Sequence, residues 1–318
     1  MAGSVAGQTA LKIARRAAIT LPVLWVVVTV VFLLIHLVPG DPIVQMLGEG
    51  ATASDVSTLR HSLRLDLPVH TQYADYCRGL IHGDLGQSLR LHDSVLRLIM
   101  QRYPYTLALT LGALLIGVGL AIPAGVVSAR HRNGWVDRTI GVGSLMGLSF
   151  PNFALGPILI LIFAIGFGWL PVSGAGNGAG DLLRHLVLPS VTLGLGLAAI
   201  LTRMVRTSML EEMGQDYIRT ARAKGLSERT VVYRHALRNA LNPVLTVVGL
   251  QFGSLLAGAI VTETIFGWPP LGRMTLSAIS NRDYPLVQGC ILAVGVTYVV
   301  INLLTDAAYA VADPRLRR

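Results

Sequence analysis

The sequence predicts an all-α polytopic membrane protein with six transmembrane helices. Of its 318 residues, 53% are hydrophobic and only 14% are charged, whereas a soluble domain usually carries about 25% charged residues. The apolar runs are continuous, as in membrane helices, whereas the strands of a membrane barrel alternate in polarity. The basic residues behind the net charge of +9 gather in short segments between these runs. They therefore indicate orientation in a bilayer rather than nucleic-acid binding.

The apolar runs divide the chain into segments. A basic leader, residues 1–16, precedes the first predicted span at 17–40, since a membrane helix needs about 20 residues. A polar segment follows at 41–102, with a helix-like stretch at 54–65 and a turn-rich region at 79–86. The five later spans are predicted at 103–129, 139–168, 185–206, 241–261 and 284–305. They make up a five-span core at 103–308, and a basic tail follows at 309–318.

Two of these spans carry signs of close packing or bending. Four glycines between Gly112 and Gly125 in the second span suit the close approach of helices in lipid. The third span is longer than a straight crossing needs, and Pro151-Asn152 is expected to kink it. Trp169 and the glycine-rich stretch 172–180 are predicted to form an interfacial loop after this span.

The distribution of basic residues predicts that both termini are cytoplasmic. The segments assigned to that side carry 17 Lys or Arg residues, against Arg184, Arg273 and Arg282 in the two short loops opposite. The six basic residues of segment 41–102 count for little, because long segments cross regardless of charge. Splitting 139–180 into two spans would export the basic region that follows the fourth span, so six spans are favoured over seven.

That basic region, residues 211–243, is predicted to fold as helix, turn and helix. Gly225 stands where a helix commonly ends in the left-handed conformation. Ser227 can cap a second helix, and Glu228 places a negative charge in its first turn. The second helix is expected to end near Pro243. From spacing alone, the region is equally well explained as a solvated basic loop that only sets the topology.

The same region resembles the cytoplasmic loop of ABC-type importer permeases, whose pattern is Glu-Ala-Ala, three residues, Gly, nine residues, Ile-x-Leu-Pro. Gly225 takes the Gly position, Ala221 the second Ala and Leu237 the Leu. Four positions depart from the pattern and are occupied by Arg219, Thr220, His235 and Arg238. Such departures are expected in the dipeptide, oligopeptide and nickel branch of the family, where the loop reads much like this one.

Further stretches resemble that branch, and the similarity extends in order over nearly the whole chain. They are VPGDP (38–42), HGDLGQS (82–88), ETIFGWPPLGR (263–273), NRDYPLVQG (281–289) and DPRLR (313–317). The resemblance implies the type I permease fold of ABC importers, with a cytoplasmic coupling loop at 207–242, in a prokaryotic inner membrane. It also implies a transport subunit rather than an enzyme.

The resemblance further implies a set of partners. These are a second homologous permease, two cytoplasmic ATPase subunits that carry ATP and Mg, an extracytoplasmic solute-binding protein and the lipid bilayer. The sequence has no GxxxxGK[ST], HExxH or GxSxG motif, which fits a chain without its own ATPase or hydrolase machinery. Cys77 and Cys290 lie far apart, and no clustered ligand set predicts a metal site. No cofactor is expected in this chain.

The coupling residues implied by the resemblance form a short helix and the turn after it. They are Tyr217, Ile218, Ala221, Arg222, Lys224, Gly225 and Leu226. Tyr217, Ile218 and Ala221 share a small, partly apolar face that is expected to dock on an ATPase, with basic residues at its rim. Ala221 would permit close approach, and Gly225 would let the chain turn back.

Four polar or helix-breaking residues are candidates for the translocation path: Pro151, Asn152, Gln251 and Glu263. A kink and an interhelical hydrogen bond explain the first three equally well. Glu263 lies near the outward end of a span, where a hydrated end or a structural pair is the simpler interpretation. Segment 41–102 is expected outside, either covering the outer mouth and touching a binding protein, or packing on the helix bundle.

The favoured function is the permease subunit of an ATP-driven importer of short peptides. The alternatives within the branch are glutathione-like peptides and nickel complexes. An ATPase-independent channel or carrier would require inverted repeats and charges near the bilayer midplane, which the sequence does not show. An intramembrane enzyme would require a nucleophile with a base, or paired acids, and neither is evident.

Overall fold

The computed structural model describes residues 21–33, 43, 52–62, 65–176, 178–269 and 271–312, and the regular elements in these ranges are helices. Two π-helical segments interrupt the α-helices: Ile160–Gly166 continues α6, and Val231–Ala236 joins α9 to α10. In chain order the α-helices are α1 (Leu21–Leu33), α2 (Ala53–Ser62), α3 (Val69–Ile81), α4 (Val95–Arg130), α5 (Trp135–Ser149), α6 (Asn152–Leu159), α7 (Ala179–Met213), α8 (Asp216–Ala223), α9 (Glu228–Thr230), α10 (Leu237–Ile265), α11 (Leu271–Ser280) and α12 (Tyr284–Ala312).

Among the described residues, four helices are long and apolar enough to cross a membrane. They are α4, α7, the helix that runs from α9 into α10, and α12. The bent pair of α5 and α6 adds a fifth if it is one span. The shorter apolar helix α1 falls within the predicted first span, and the rest of residues 17–40 lies outside the described residues. The helical membrane architecture is confirmed, and the count of six spans stays a prediction.

The predicted kink at Pro151 is a break. The axes of α5 and α6 meet at 104°, far more than a kinked helix shows. Phe150 has ψ 118° and Pro151 has ψ 140°, so two successive residues are extended. A proline disfavours the helical conformation of the residue before it, which places the end of α5 at Ser149.

Three other features differ from the sequence-based expectation. The helix predicted to end near Pro243 continues to Ile265, because neighbouring helices and local π-type adjustments can satisfy the backbone groups that proline frees in a membrane helix. Helices α3 and α11 were not predicted, since each is short and only partly apolar. Helix α4 begins at Val95, inside the segment expected to be polar.

The chain divides into two compact units, of which the first comprises Met1–Pro104 and Leu271–Val300. Its core joins the start of α4 to α11 and to the first turns of α12. Gly289 on α12 lies where an added Cβ would come within 2.3 Å of Val95, so the two helices approach closely there. The buried members of this core are Val95, Leu98, Ile99, Leu271, Met274, Ala278, Leu286 and Cys290.

In this first unit, a buried carboxylate holds the loop before α4 through hydrogen bonds. Asp283, 1% exposed, accepts hydrogen bonds from the Ser88 hydroxyl and from the backbone N–H groups of Leu89, Arg90 and Leu286. Ser88 ends the HGDLGQS stretch and Asp283 lies in the NRDYPLVQG stretch. The two stretches therefore meet at one hydrogen-bond centre that holds the loop before α4 against the start of α12.

The second unit comprises Tyr105–Pro270 and Ile301–Arg318. Helix α4 packs closely on α7, as the glycines of the second span predict: a Cβ at Gly112, Gly117 or Gly125 would lie within 2.6 Å of a side chain on α7. The fourth glycine, Gly119, faces open space. The core of this unit extends from α4 and α7 to α10 and to the chain between α7 and α10.

Candidate functional site

The chain between α7 and α10 has the helix, turn and helix that its sequence predicts. Helix α7 ends at Met213, and α8 follows as a short helix. Gly225 has φ +78°, the left-handed conformation that costs an L-residue about 1–2 kcal/mol. The Ser227 hydroxyl accepts a hydrogen bond from the Thr230 N–H at 3.4 Å, so Ser227 caps α9. Gly225 and Ser227 thus reverse the chain after α8.

The apolar residues of α8 face inward. Ile218 is 0% and Ala221 is 7% exposed, and both belong to the core that includes Val231 and Val232. The chain's own core therefore covers these two side chains, and their contact with an ATPase stays a prediction. They anchor α8. Tyr217 shares the edge of this face but remains 39% exposed.

Two polar contacts hold α8 in place. At its start, the Tyr217 hydroxyl donates to the Glu212 carboxylate, and the Asn239 amide donates to the same hydroxyl at 2.9 Å. At its end, the Arg222 guanidinium donates two hydrogen bonds to the Glu228 carboxylate, at 3.1 and 2.8 Å. This carboxylate raises the pKa of Arg222. The contacts link α8 to α7, α9 and α10.

The end of α8 and the turn after it form an exposed surface, residues 222–226, that is basic with a small apolar part. Arg222, Lys224 and Leu226 are exposed, and Leu226 is 41% exposed. The Lys224 ammonium makes no ion pair or hydrogen bond among the residues that the structure describes. This exposed surface lies beside the buried Ile218 and Ala221, at the end of α8 and in the turn after it.

The four candidate path residues do not form one compact group. Glu263 is 1% exposed and accepts a 2.6 Å hydrogen bond from the Thr106 hydroxyl, which agrees with a structural contact. Gln251 is half-buried on the same helix, about 18 Å away along its axis at 1.5 Å per residue. Pro151 is exposed and Asn152 half-buried at the break between α5 and α6.

Sequence reasoning missed a buried ionic cluster between the start of α5 and the later turns of α7. Asp137 on α5 accepts two hydrogen bonds from the Arg206 guanidinium on α7, both at 2.7 Å. It also accepts a 2.5 Å bond from the Ser128 hydroxyl and a 2.9 Å bond from the Asn133 N–H. One signal could have found it, since Asp137 is the single acidic residue among the arginines between the second and third spans.

Comparison with protein families agrees with these features. The sequence model of the binding-protein-dependent transport system inner membrane component matches residues 121–318, and the model of the N-terminal part of such components matches residues 11–110. The chain belongs to this family. It is therefore a membrane permease component of a transport system, and the resemblance inferred from the cytoplasmic loop and the other stretches is confirmed.

Two relatives of this permease resemble it over almost their entire length. The di/tripeptide transport system permease protein DppB of Pseudomonas aeruginosa (strain UCBPP-PA14) is 43% identical and covers 96% of this chain and 98% of its own. The glutathione transport system permease protein GsiC of Escherichia coli (strain K12) is 42% identical, with 93% and 95% covered.

A solved structure shares the permease fold. A chain of the MetNI methionine ABC transporter, in an inward-facing conformation, superposes with a TM-score of 0.56 at 20% sequence identity. The match covers 68% of this permease and 96% of the other chain. At this identity the likeness concerns the fold alone.

Proposed function

We propose that this permease is the membrane subunit of an ATP-driven ABC importer and forms the path for short peptides delivered by an extracytoplasmic binding protein. The observation that carries the proposal is the 43% identity to a di/tripeptide permease over nearly the whole of both chains. The importer would contain a second homologous permease and two cytoplasmic ATPases, which bind ATP and Mg²⁺. Glutathione is the second candidate substrate, supported by the 42% identity to GsiC.

A growth assay tests the substrate. A strain that lacks only this subunit is given a dipeptide, a tripeptide or glutathione as the sole source of a required amino acid or sulfur, and nickel is made limiting in a separate culture. We expect failure on the di- and tripeptides and restoration by a plasmid copy of the gene. Failure on glutathione alone would favour the second candidate, and failure on nickel alone would refute both.

The exposed surface at the end of α8 and in the turn after it, residues 222–226, is the proposed docking surface for an ATPase. Its position is fixed by the buried Ile218 and Ala221 and by the Arg222–Glu228 pair. Lys224 and Leu226 then supply a free positive charge and an apolar contact at the same edge. A helix with such an edge can transmit the movement of a partner to α7 and α10, to which its start is bonded, and to α9, to which its end is bonded.

The double variant Lys224→Glu, Leu226→Ser tests this surface. We expect about a tenfold or greater loss of ATPase co-purification and of substrate-stimulated ATP hydrolysis, because a few central residues carry most of an interface's binding energy and about 1.4 kcal/mol corresponds to a tenfold change in affinity. The matched control is Arg273→Glu, Leu276→Ser, which also reverses one positive charge and replaces one leucine at exposed positions of α11. Normal assembly and hydrolysis in the first variant would refute the surface.

The variant Ala221→Trp distinguishes the stabilising role of α8 within the permease from its proposed role in binding the ATPase. A large side chain at this buried position should displace α8 and lower the free energy of unfolding by roughly 1–3 kcal/mol. It should also speed protease cleavage between Gly214 and Ser227. Lys224→Glu, Leu226→Ser should leave both properties unchanged, so the two variants can both uncouple the importer while only one destabilises the permease.

We further propose six spans, with both termini and α8 cytoplasmic. Cysteine labelling in intact cells tests this, after Cys77 is replaced by Ser because it is partly exposed. An impermeant maleimide should label Val172→Cys and should label Ala223→Cys only after the membrane is opened. Val172 is preferred to Gly176, whose φ of +69° would strain any other residue. Labelling at position 223 alone in intact cells would contradict this topology and indicate the opposite orientation.

In this topology, residues 41–102 lie on the outer side. The Asp283 centre fixes the loop before α4 to the start of α12, so part of this segment packs on the helices. The remaining surface is proposed to contact the binding protein. Photocross-linkers at the exposed Ile81 and Leu91 should capture that protein during substrate delivery, and failure at both positions would leave packing as the role of this loop region.

A further inference from the structure

A basic cavity opens beside the Asp137 cluster. Its volume is about 420 Å³, and it lies between the start of α5 and the later turns of α7. Three arginines line it: Arg138 from α5, and Arg203 and Arg206 from α7. Asp137 and Leu145 are also in its wall. The proposed ATPase surface on α8 contributes no residue to it.

Two of the positive charges of the cavity have no counter-charge among the residues that the structure describes. The Arg206 guanidinium is neutralised by the Asp137 carboxylate through two hydrogen bonds. Arg138 and Arg203 are exposed, and neither side chain has an ion pair or hydrogen bond within the described ranges. Two positive groups therefore line the cavity without a counter-charge. The planar guanidinium matches the oxygen atoms of a phosphate.

The wall of the cavity continues into an apolar surface. Leu145 lines the cavity, and Val142 and Met146 are exposed on the same helix. Trp135, at the first turn of α5, is 76% exposed, and tryptophan is enriched at the boundary between bilayer and water. A phosphate site that borders an apolar helix face fits an amphiphile better than a soluble anion.

We propose that this cavity binds the phosphate group of an anionic phospholipid, with the acyl chains against α5. Basic pockets between membrane helices are suited to such headgroups. A phosphate held by both Arg138 and Arg203 would join α5 to α7 next to the Asp137–Arg206 pair. The inference rests on the membrane location of these helices, and neither the transported substrate nor the ATPase surface enters it.

Native mass spectrometry of the purified full chain can test the proposal, with phosphatidylglycerol titrated against phosphatidylcholine. For Arg138→Gln, Arg203→Gln we expect phosphatidylglycerol to bind roughly five- to thirtyfold more weakly, since each basic group near a charged lipid contributes about 1 kcal/mol. Arg229→Gln, Arg234→Gln removes the same charge from exposed positions outside the cavity and should change binding less than twofold. Arg138→Lys, Arg203→Lys keeps the charge but loses the planar donors, so its affinity should lie between those of the wild type and the glutamine variant.

Several results would overturn the proposal. Unchanged affinity in Arg138→Gln, Arg203→Gln, or an equal effect of the control variant, would place the lipid elsewhere. Equal affinity for the two lipids would exclude recognition of net negative charge. Displacement by millimolar inorganic phosphate would identify a free anion as the ligand. Full shielding of an Arg203→Cys label by another protein subunit in lipid-free importer would assign the cavity to a protein interface. The glutamine variant should unfold like the wild type, because it removes no ion pair or hydrogen bond among the described residues.

Discussion

Replacing Asp137 with alanine is expected to lower the free energy of unfolding by roughly 3 kcal/mol, because the loss of one partner of a buried ion pair leaves the other charge uncompensated. The Asp137 side chain is only 8% exposed, and four hydrogen bonds converge on it. Arg206 is 32% exposed, so water can relieve part of the loss. Denaturant titration in detergent micelles, followed by circular dichroism, measures the change.

A second variant shows whether the charge is the cause. Asp137→Leu, Arg206→Met removes both charges and should recover much of the lost stability, since a pair replaced by apolar residues of similar size is often tolerated. An alanine variant as stable as the wild type would contradict the assigned role of Asp137. A double variant as unstable as the alanine variant would show that the hydrogen bonds to Ser128 and Asn133 carry the effect.

Replacing Asp283 with alanine is expected to lower the free energy of unfolding by roughly 2–4 kcal/mol, because hydrogen bonds to a charged group contribute more than neutral ones. The Ser88 hydroxyl and three backbone N–H groups would lose their acceptor. The loop before α4 should then be cleaved faster by protease. The same denaturant titration, together with limited proteolysis, provides the measurement.

Asp84→Ala is the matched control for this variant. Asp84 is exposed in the same loop region, and its carboxylate accepts a hydrogen bond from the Gly86 N–H. Loss of this hydrogen bond should lower the free energy of unfolding by less than about 1 kcal/mol, as for a typical single hydrogen bond at the surface. Equal destabilisation by the two variants would mean that the loop depends on acidic residues in general and not on the buried centre.

Local signals predicted the turn after α8 correctly. Gly225 and Ser227 act through their own backbone and neighbours, so the sequence contains what their conformation requires. Local signals could not predict which surface the apolar face of α8 contacts. The spacing of Ile218 and Ala221 predicts an apolar helix face that packs against another surface. The same spacing results whether that surface is the chain's own core or a partner protein.

The other contacts that the sequence did not predict join residues that are far apart in the chain. Asp137 and Arg206 are 69 positions apart, and Ser88 and Asp283 are 195 positions apart. No periodicity connects residues at such distances, although the quoted stretches HGDLGQS and NRDYPLVQG each contain one member of the second pair. Pro243 illustrates a related limit, because its cost in a helix depends on whether neighbouring groups can satisfy the freed backbone atoms.

The right-angled turn at Pro151 has a consequence for where water reaches the molecule. Helix α5 has 15 residues, which amounts to about 22 Å at 1.5 Å per residue, less than the roughly 30 Å of hydrocarbon in a bilayer. At its end, carbonyl oxygens lose their helical donors, and acyl chains offer none in return. The stretch 150–152 therefore has to meet hydrogen-bond donors from water, from the polar headgroup region or from protein, and exposure to hydrocarbon alone is excluded there.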